Sequence, residues 1–212
     1  MTTQTIETRF NQLADDLSEN GYGIIESFLS DEEVKDILSV LDDYQEAGDL
    51  KRAGIGQAEN HQVDKSQRGD LIRWIEPEKA KDPTQVYLDR MRELMQFINR
   101  TCFLSLKDFE FHYTLYPVGT FYKRHLDQFK QDDHRKLSVI CYLNFDWREG
   151  DGGQLRMYKP VGADEQIVDV LPVAGRLICF RSDLLEHEVL PTARERKSLT
   201  GWLRDQLLDV PF

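Results

Sequence analysis

Apolar residues fall three and four apart near the start of the chain, at Phe10, Leu13, Ala14 and Leu17, and Gly21 then interrupts the stripe. That spacing predicts a helix with one face turned to a core. Tyr22 to Ile25 follows as a short strand. Ser30-Asp31-Glu32-Glu33 has the spacing of a capping box, and Val34, Ile37, Leu38 and Leu41 continue as the apolar face of a second helix. Residues 47–67, AGDLKRAGIGQAENHQVDKSQ, are polar, glycine-containing and without period. They predict a loop of about 20 residues, a length at which loops are commonly lids or binding loops. Arg68-Gly69-Asp70 closes it, Asp70 to Glu76 reads as a strand, and a third helix starts near Pro83 and runs through Met91, Leu94, Met95 and Ile98.

From Phe109 the pattern changes to short runs rich in β-branched and aromatic residues: FEFHYTLY, LSVICYLNF, GQLRMYK, QIVDVL, RLICF and SLTGWL. Gly119, Asp151-Gly152-Gly153, Pro172 and Gly175 separate them. Short, closely spaced strands argue for a sandwich or small barrel rather than a βαβ sheet. The expected fold is mainly β with supporting helices: a double-stranded β-helix (jelly-roll) barrel flanked by N-terminal α-helices. One domain is expected over 1–212, with 1–108 mostly helical support and a mobile loop, and 109–204 the barrel core.

Composition narrows the setting. The 212 residues carry a net charge of −11, and the one dense basic run, Arg194-Glu195-Arg196-Lys197, is short and interrupted, so nucleic acid is not an expected partner. No run approaches the length of a membrane span, and the first 20 residues lack a secretory pattern, which makes the cytoplasm the expected location. Cys102, Cys141 and Cys179 are odd in number and far apart; the last two sit in apolar runs and are expected as buried thiols.

Candidate chemistry begins with the histidines. Residues two apart on a strand share a face, so His125 and Asp127 can offer an imidazole and a carboxylate to one ion. His187 follows sixty residues later, at the end of another predicted strand. Two histidines and one carboxylate leave three open positions on an octahedron, as in non-haem Fe(II) oxygenases; a zinc hydrolase or a non-catalytic metal-binding barrel could use the same set. His61, His112 and His134 have no partner at a ligand-like spacing. Further on, Arg196, Ser198, Thr200 and Trp202 share one strand face, with Leu199 and Leu203 on the other. An arginine pointing into a barrel needs an anion, and its planar fork suits a carboxylate, with Thr200 as a further donor.

The order and spacing of Tyr116-Pro117-Val118-Gly119-Thr120-Phe121-Tyr122-Lys123-Arg124-His125-Leu126-Asp127, Tyr142-Leu143-Asn144, Gly152-Gly153-Gln154-Leu155, Pro172 to Phe180, HEVLP and RKSLTGW resemble the prolyl 4-hydroxylase branch of the 2-oxoglutarate and Fe(II)-dependent oxygenases. Arg68-Gly69-Asp70-Leu71-Ile72-Arg73-Trp74-Ile75-Glu76, and the placing of Arg196 nine residues after His187, are most similar to the hypoxia-inducible-factor type and its bacterial relatives. Collagen-type members use a lysine at the next position, where this chain has Lys197; strand alternation turns Lys197 away and favours Arg196. The resemblance implies Fe(II) on His125, Asp127 and His187, 2-oxoglutarate as cosubstrate with O2, and ascorbate as a reductant. It implies a 2-oxoglutarate pocket of Arg196, Tyr116, Tyr142, Leu155, Thr200 and Trp202. Arg68 and Asp70 are expected on the substrate side. The implied substrate is a prolyl residue in a protein, with the translation machinery as one source; a free amino acid or other small molecule is the alternative.

Overall fold

The computed structural model describes residues 5–54, 66–128 and 133–207. The 3.6-period segments form α1 (Ile6–Asn20), α2 (Asp31–Glu46) and α3 (Asp82–Cys102). The capping box closes α2 as expected: Ser30 Oγ accepts from the Glu33 N–H at 3.2 Å, and Glu33 Oε2 accepts from the Ser30 N–H at 2.8 Å. Gly21 ends α1 in the left-handed region, at φ 77°. None of these helices is long and apolar enough to cross a membrane.

The strands are β1 (Tyr22–Ile25), β2 (Lys51–Arg52), β3 (Leu71–Trp74), β4 (Asp108–Tyr116), β5 (Tyr122–His125), β6 (Arg135–Tyr142), β7 (Leu155–Val161), β8 (Asp164–Val170), β9 (Leu177–Arg181), β10 (Glu186–Val189) and β11 (Arg196–Arg204). They form a seven-stranded sheet, ordered β1-β9-β6-β11-β4-β3-β2, and a four-stranded sheet, ordered β5-β10-β7-β8. Every pairing is antiparallel.

Strand alternation divides the large sheet between two cores. Phe109, Phe111 and Tyr113 of β4, Leu137, Val139 and Cys141 of β6, and Leu199 and Leu203 of β11 pack with the apolar faces of the three helices. Tyr116, Ile140, Tyr142, Ile178 and Phe180 face the other way and meet Leu155, Met157 and Val189 of the small sheet. This second core fills the barrel. Cys141 and Cys179 are buried free thiols on the helix side, and burial pushes both well above the ordinary thiol range.

Several elements depart from the sequence reading. The expected loop 47–67 holds β2, whose two residues pair with β3; both side chains are exposed, so no apolar signal marks the strand. Residues 55–65 of that loop, His61 among them, lie outside the described residues. β10 puts His187 inside a strand rather than at the end of one, the alternation of Glu-His-Glu-Val being hidden under charge. The run expected to 145 leaves the ladder after Tyr142. β1, β2 and β3 join the large sheet, so residues before 109 supply strands as well as helical support.

Candidate metal centre and cosubstrate pocket

β5 and β10 are neighbours, and His125 and His187 are partners across their ladder. Side chains directly opposite on paired strands point the same way, which brings the two imidazoles to 4.3 Å between ring centres. Asp127 lies just past the end of β5, in a bend rather than in the strand that the two-residue spacing assumed. Its Oδ1 is nevertheless 3.5 Å from His125 Nε2, and its Oδ2 is 3.5 Å from His187 Nε2. All three ligand atoms fall within 4.8 Å of one another.

The ring orientation is fixed from behind. His125 Nδ1–H donates to the Lys123 carbonyl at 2.7 Å, and His187 Nδ1–H to the Leu185 carbonyl at 3.1 Å. A carbonyl only accepts, so each Nδ1 carries a proton and Nε2 is the nitrogen each ring turns toward an ion. Burial drives His187 down to about 4, which keeps that ring neutral at pH 7. Burial alone would raise Asp127; positive charge at His187 and His125, which an ion held between them would supply in their place, and the Ser138 hydroxyl lower it. A carboxylate oxygen facing two imidazole nitrogens is a donor set suited to Fe(II).

Deeper in the barrel, Arg196 is 1% exposed. Its Nε donates to the Gly153 carbonyl at 2.9 Å, and its guanidinium carbon lies 5.0 Å from the Tyr116 ring centre and 5.1 Å from that of Tyr142. Arg196 Nη2 and Tyr142 Oη are buried here without a partner among the described residues; Trp202 Nε1, also without one, lies six residues further along β11, opposite Ser138. Burial pushes the Tyr142 phenol up to about 12 despite the Arg196 charge beside it, so it remains a donor at neutral pH. Unanswered donors around a buried guanidinium call for an anionic acceptor. Leu155 is buried in the same core, and Thr200, half-buried, shares a 3.2 Å hydrogen bond with Ser198. Ser138, which touches Asp127, and Tyr142, beside Arg196, are four residues apart on β6, roughly 13 Å of strand. That is the scale of a short dicarboxylate chelated at one end and salt-bridged at the other.

Comparison with known proteins agrees with this chemistry. The family model described as the 2OG-Fe(II) oxygenase superfamily matches residues 111–204. A Pseudomonas putida prolyl-4-hydroxylase is 42% identical, with 93% of this chain and 100% of that one covered and a TM-score of 0.81. The chain belongs to the 2OG-Fe(II) oxygenase superfamily. Within it, a Trichoplax adhaerens prolyl hydroxylase, solved with a hypoxia-inducible-factor peptide fragment, is 27% identical over 96% of this chain and 94% of that one, at a TM-score of 0.84. The α-ketoglutarate-dependent carbocyclase SnoK from nogalamycin biosynthesis, 13% identical over 96% of this chain and 87% of that one, shares the fold at a TM-score of 0.73.

This oxygenase is thus a 2-oxoglutarate-dependent dioxygenase of the prolyl 4-hydroxylase branch, working with Fe(II), 2-oxoglutarate and O2. The other described histidines sit elsewhere. His112 is buried edge-on against Trp74 and bonded to Thr114 at 2.9 Å; His134 pairs with Asp205 at 2.9 Å.

Arg68 and Asp70 form a bidentate pair at 2.7 and 2.6 Å, with the Asp70 side chain fully buried. Arg68 Nη1 also donates to the Gly54 carbonyl at 3.2 Å, which ties the two ends of the long loop together. The Arg68 guanidinium covers Tyr122 at 4.2 Å, and Tyr122 stacks on His125 at 3.7 Å. The base of the loop therefore packs directly behind a metal-site histidine of the oxygenase.

Sequence reasoning assigned no role to Ser138. Its hydroxyl donates to Asp127 Oδ2 at 2.7 Å and bonds Ser182 at 2.8 Å. The signal was present, since Ser138 is a small hydroxyl residue on the lumen face of an otherwise apolar stretch of β6. Ser138→Ala is expected to weaken Fe(II) binding by about ten- to a hundredfold, the usual loss when a residue behind a metal ligand is removed. Titration with Mn(II), followed by electron paramagnetic resonance, measures it.

Proposed function

We propose that this oxygenase hydroxylates a prolyl residue within a protein, in the cytoplasm. The single observation that carries the reading is 42% identity, across 93% of the chain, to a Pseudomonas putida prolyl-4-hydroxylase. The Trichoplax relative, with its peptide fragment, favours a polypeptide over a free amino acid. The buried free thiols Cys141 and Cys179 suit a reducing compartment.

In this reading His125, Asp127 and His187 hold Fe(II). Arg196 pairs with the distal carboxylate of 2-oxoglutarate, Tyr142 and Tyr116 flank that pair, Leu155 and Trp202 wall the pocket, and Thr200 adds a hydroxyl. Bound Fe(II) supplies the oxidation, in which 2-oxoglutarate and O2 become succinate and CO2 and one oxygen atom is added to the substrate. The protein contributes geometry and exclusion of water. Arg68 and Asp70, packed against Tyr122 behind His125, are the substrate-side residues in this reading, at the foot of a long loop that a polypeptide substrate would call for and a free amino acid would not.

Two experiments test this. Mass spectrometry of cellular proteins with and without the enzyme should find prolines heavier by one oxygen only when it is present; translation-machinery proteins are among the candidates such a search covers. Deleting residues 55–64 should reduce hydroxylation of that protein by more than about tenfold, yet leave substrate-independent 2-oxoglutarate decarboxylation within about twofold. Equal losses in both assays would assign the loop to the fold alone. Efficient hydroxylation of free proline would favour a small-molecule substrate instead.

A further inference from the structure

The ladder between β6 and β11 reaches Tyr142 and Ser198 and stops one residue short of Lys197 on that side. Past that point the Leu143 N–H still donates to the Lys197 carbonyl at 3.1 Å, and a side chain supplies the remaining bonds. Asn144 Oδ1 accepts from the Lys197 N–H at 2.7 Å, and its Nδ2 donates to the Lys197 carbonyl at 3.0 Å. The same Nδ2 donates to the Pro172 carbonyl at 2.8 Å, and the Asn144 backbone carbonyl accepts from the Ala174 N–H at 2.8 Å. Asn144 is buried, and its amide oxygen and both amide hydrogens are used.

We infer that Asn144 is a positioning residue for Arg196: its amide answers both backbone groups of Lys197 and so fixes the start of β11, from which Arg196 enters the barrel. The guanidinium itself is tethered by one hydrogen bond, to the Gly153 carbonyl. Its aim at an anion therefore depends on where the backbone of β11 begins. Loss of a buried, fully used amide leaves the Lys197 N–H unanswered at that point and its carbonyl with the Leu143 N–H alone. The inference rests on the proposed pairing of Arg196 with the distal carboxylate of 2-oxoglutarate.

Binding to the Mn(II)-loaded protein tests it, with calorimetry of 2-oxoglutarate and of 2-oxobutyrate. The two acids share the chelating head, and 2-oxobutyrate lacks the distal carboxylate. The native protein should prefer 2-oxoglutarate by at least about thirtyfold, and Arg196→Ala should abolish the preference. Asn144→Ala should lower it by at least about fivefold, with 2-oxobutyrate and Mn(II) affinities within about twofold of native. An amide that served only the fold would weaken both acids together and leave the preference intact, which overturns the inference. Arg196→Ala that kept the preference would overturn the arginine assignment, and the inference with it. If Asn144→Ala does not fold, Asn144→Asp carries the same measurement, because it keeps an acceptor for the Lys197 N–H and loses both donations. An unchanged preference there, or failure of both variants to fold, places the amide in the service of the fold and overturns the proposal.

Discussion

Asp127→Ala is expected to lower Fe(II) affinity by more than about a hundredfold and to abolish 2-oxoglutarate turnover, a larger loss than that of a residue behind the ligands. Among the described residues, Asp127 supplies the one carboxylate within reach of both His125 Nε2 and His187 Nε2. Removing it leaves two neutral rings, which cannot neutralise a divalent ion. The matched control is His134→Ala: that imidazole pairs with Asp205 on a partly exposed part of the chain and should leave metal affinity within about twofold of native. Mn(II) titration and succinate formation measured on both variants decide the matter. Equal loss of metal in the two would displace the site from the ladder of β5 and β10.

How much of this was legible in the sequence follows from the range of each interaction. Helix faces and the division of β11 into lumen and helix sides are local, periodic properties, and they appear as read: Arg196, Ser198 and Trp202 on one side, Leu199 and Leu203 on the other. The metal residues were legible as types and spacings, although one premise was inexact. Asp127 reaches His125 from a bend, not from a shared strand face; what aligns the site is the pairing of His125 with His187, a contact between strands far apart in the chain. The bounds of β10 around His187 were hidden because three of its four residues are charged or ionisable.

Ser138, Tyr122 and Asn144 escaped for a different reason. Each acts on another residue's orientation through tertiary neighbours, and a single sequence carries no trace of who that neighbour is. The Arg68–Asp70 pair was visible as a motif but not as a buried one. With the Asp70 side chain out of solvent and Arg68 lying over Tyr122, it is a fixed part of the wall behind His125 rather than a solvated surface pair.

Arg196→Ala should raise the 2-oxoglutarate requirement by about thirtyfold or more. Losing one partner of a desolvated, charge-assisted pair costs roughly 2–5 kcal/mol, and 2 kcal/mol is already about thirtyfold. The guanidinium is shielded from water, flanked by Tyr116 and Tyr142, and has Nη2 unanswered by the protein, so little else in the lumen can replace its charge. Lys197 occupies the position that collagen-type enzymes use, but its Nζ points to the helix side and meets Asp42 on α2 at 2.6 Å. Lys197→Ala should therefore change the requirement by less than about twofold, with a stability loss under about 1 kcal/mol for a pair whose acidic partner is half exposed. Arg196→Lys separates charge from shape: it keeps the cation and loses the two-pronged contact, so it should fall between native and Arg196→Ala. Titration of all three variants with 2-oxoglutarate at saturating Fe(II) provides the comparison. A larger loss at Lys197 than at Arg196 would mean that the cosubstrate is anchored from the helix side, against the direction in which β11 turns its side chains.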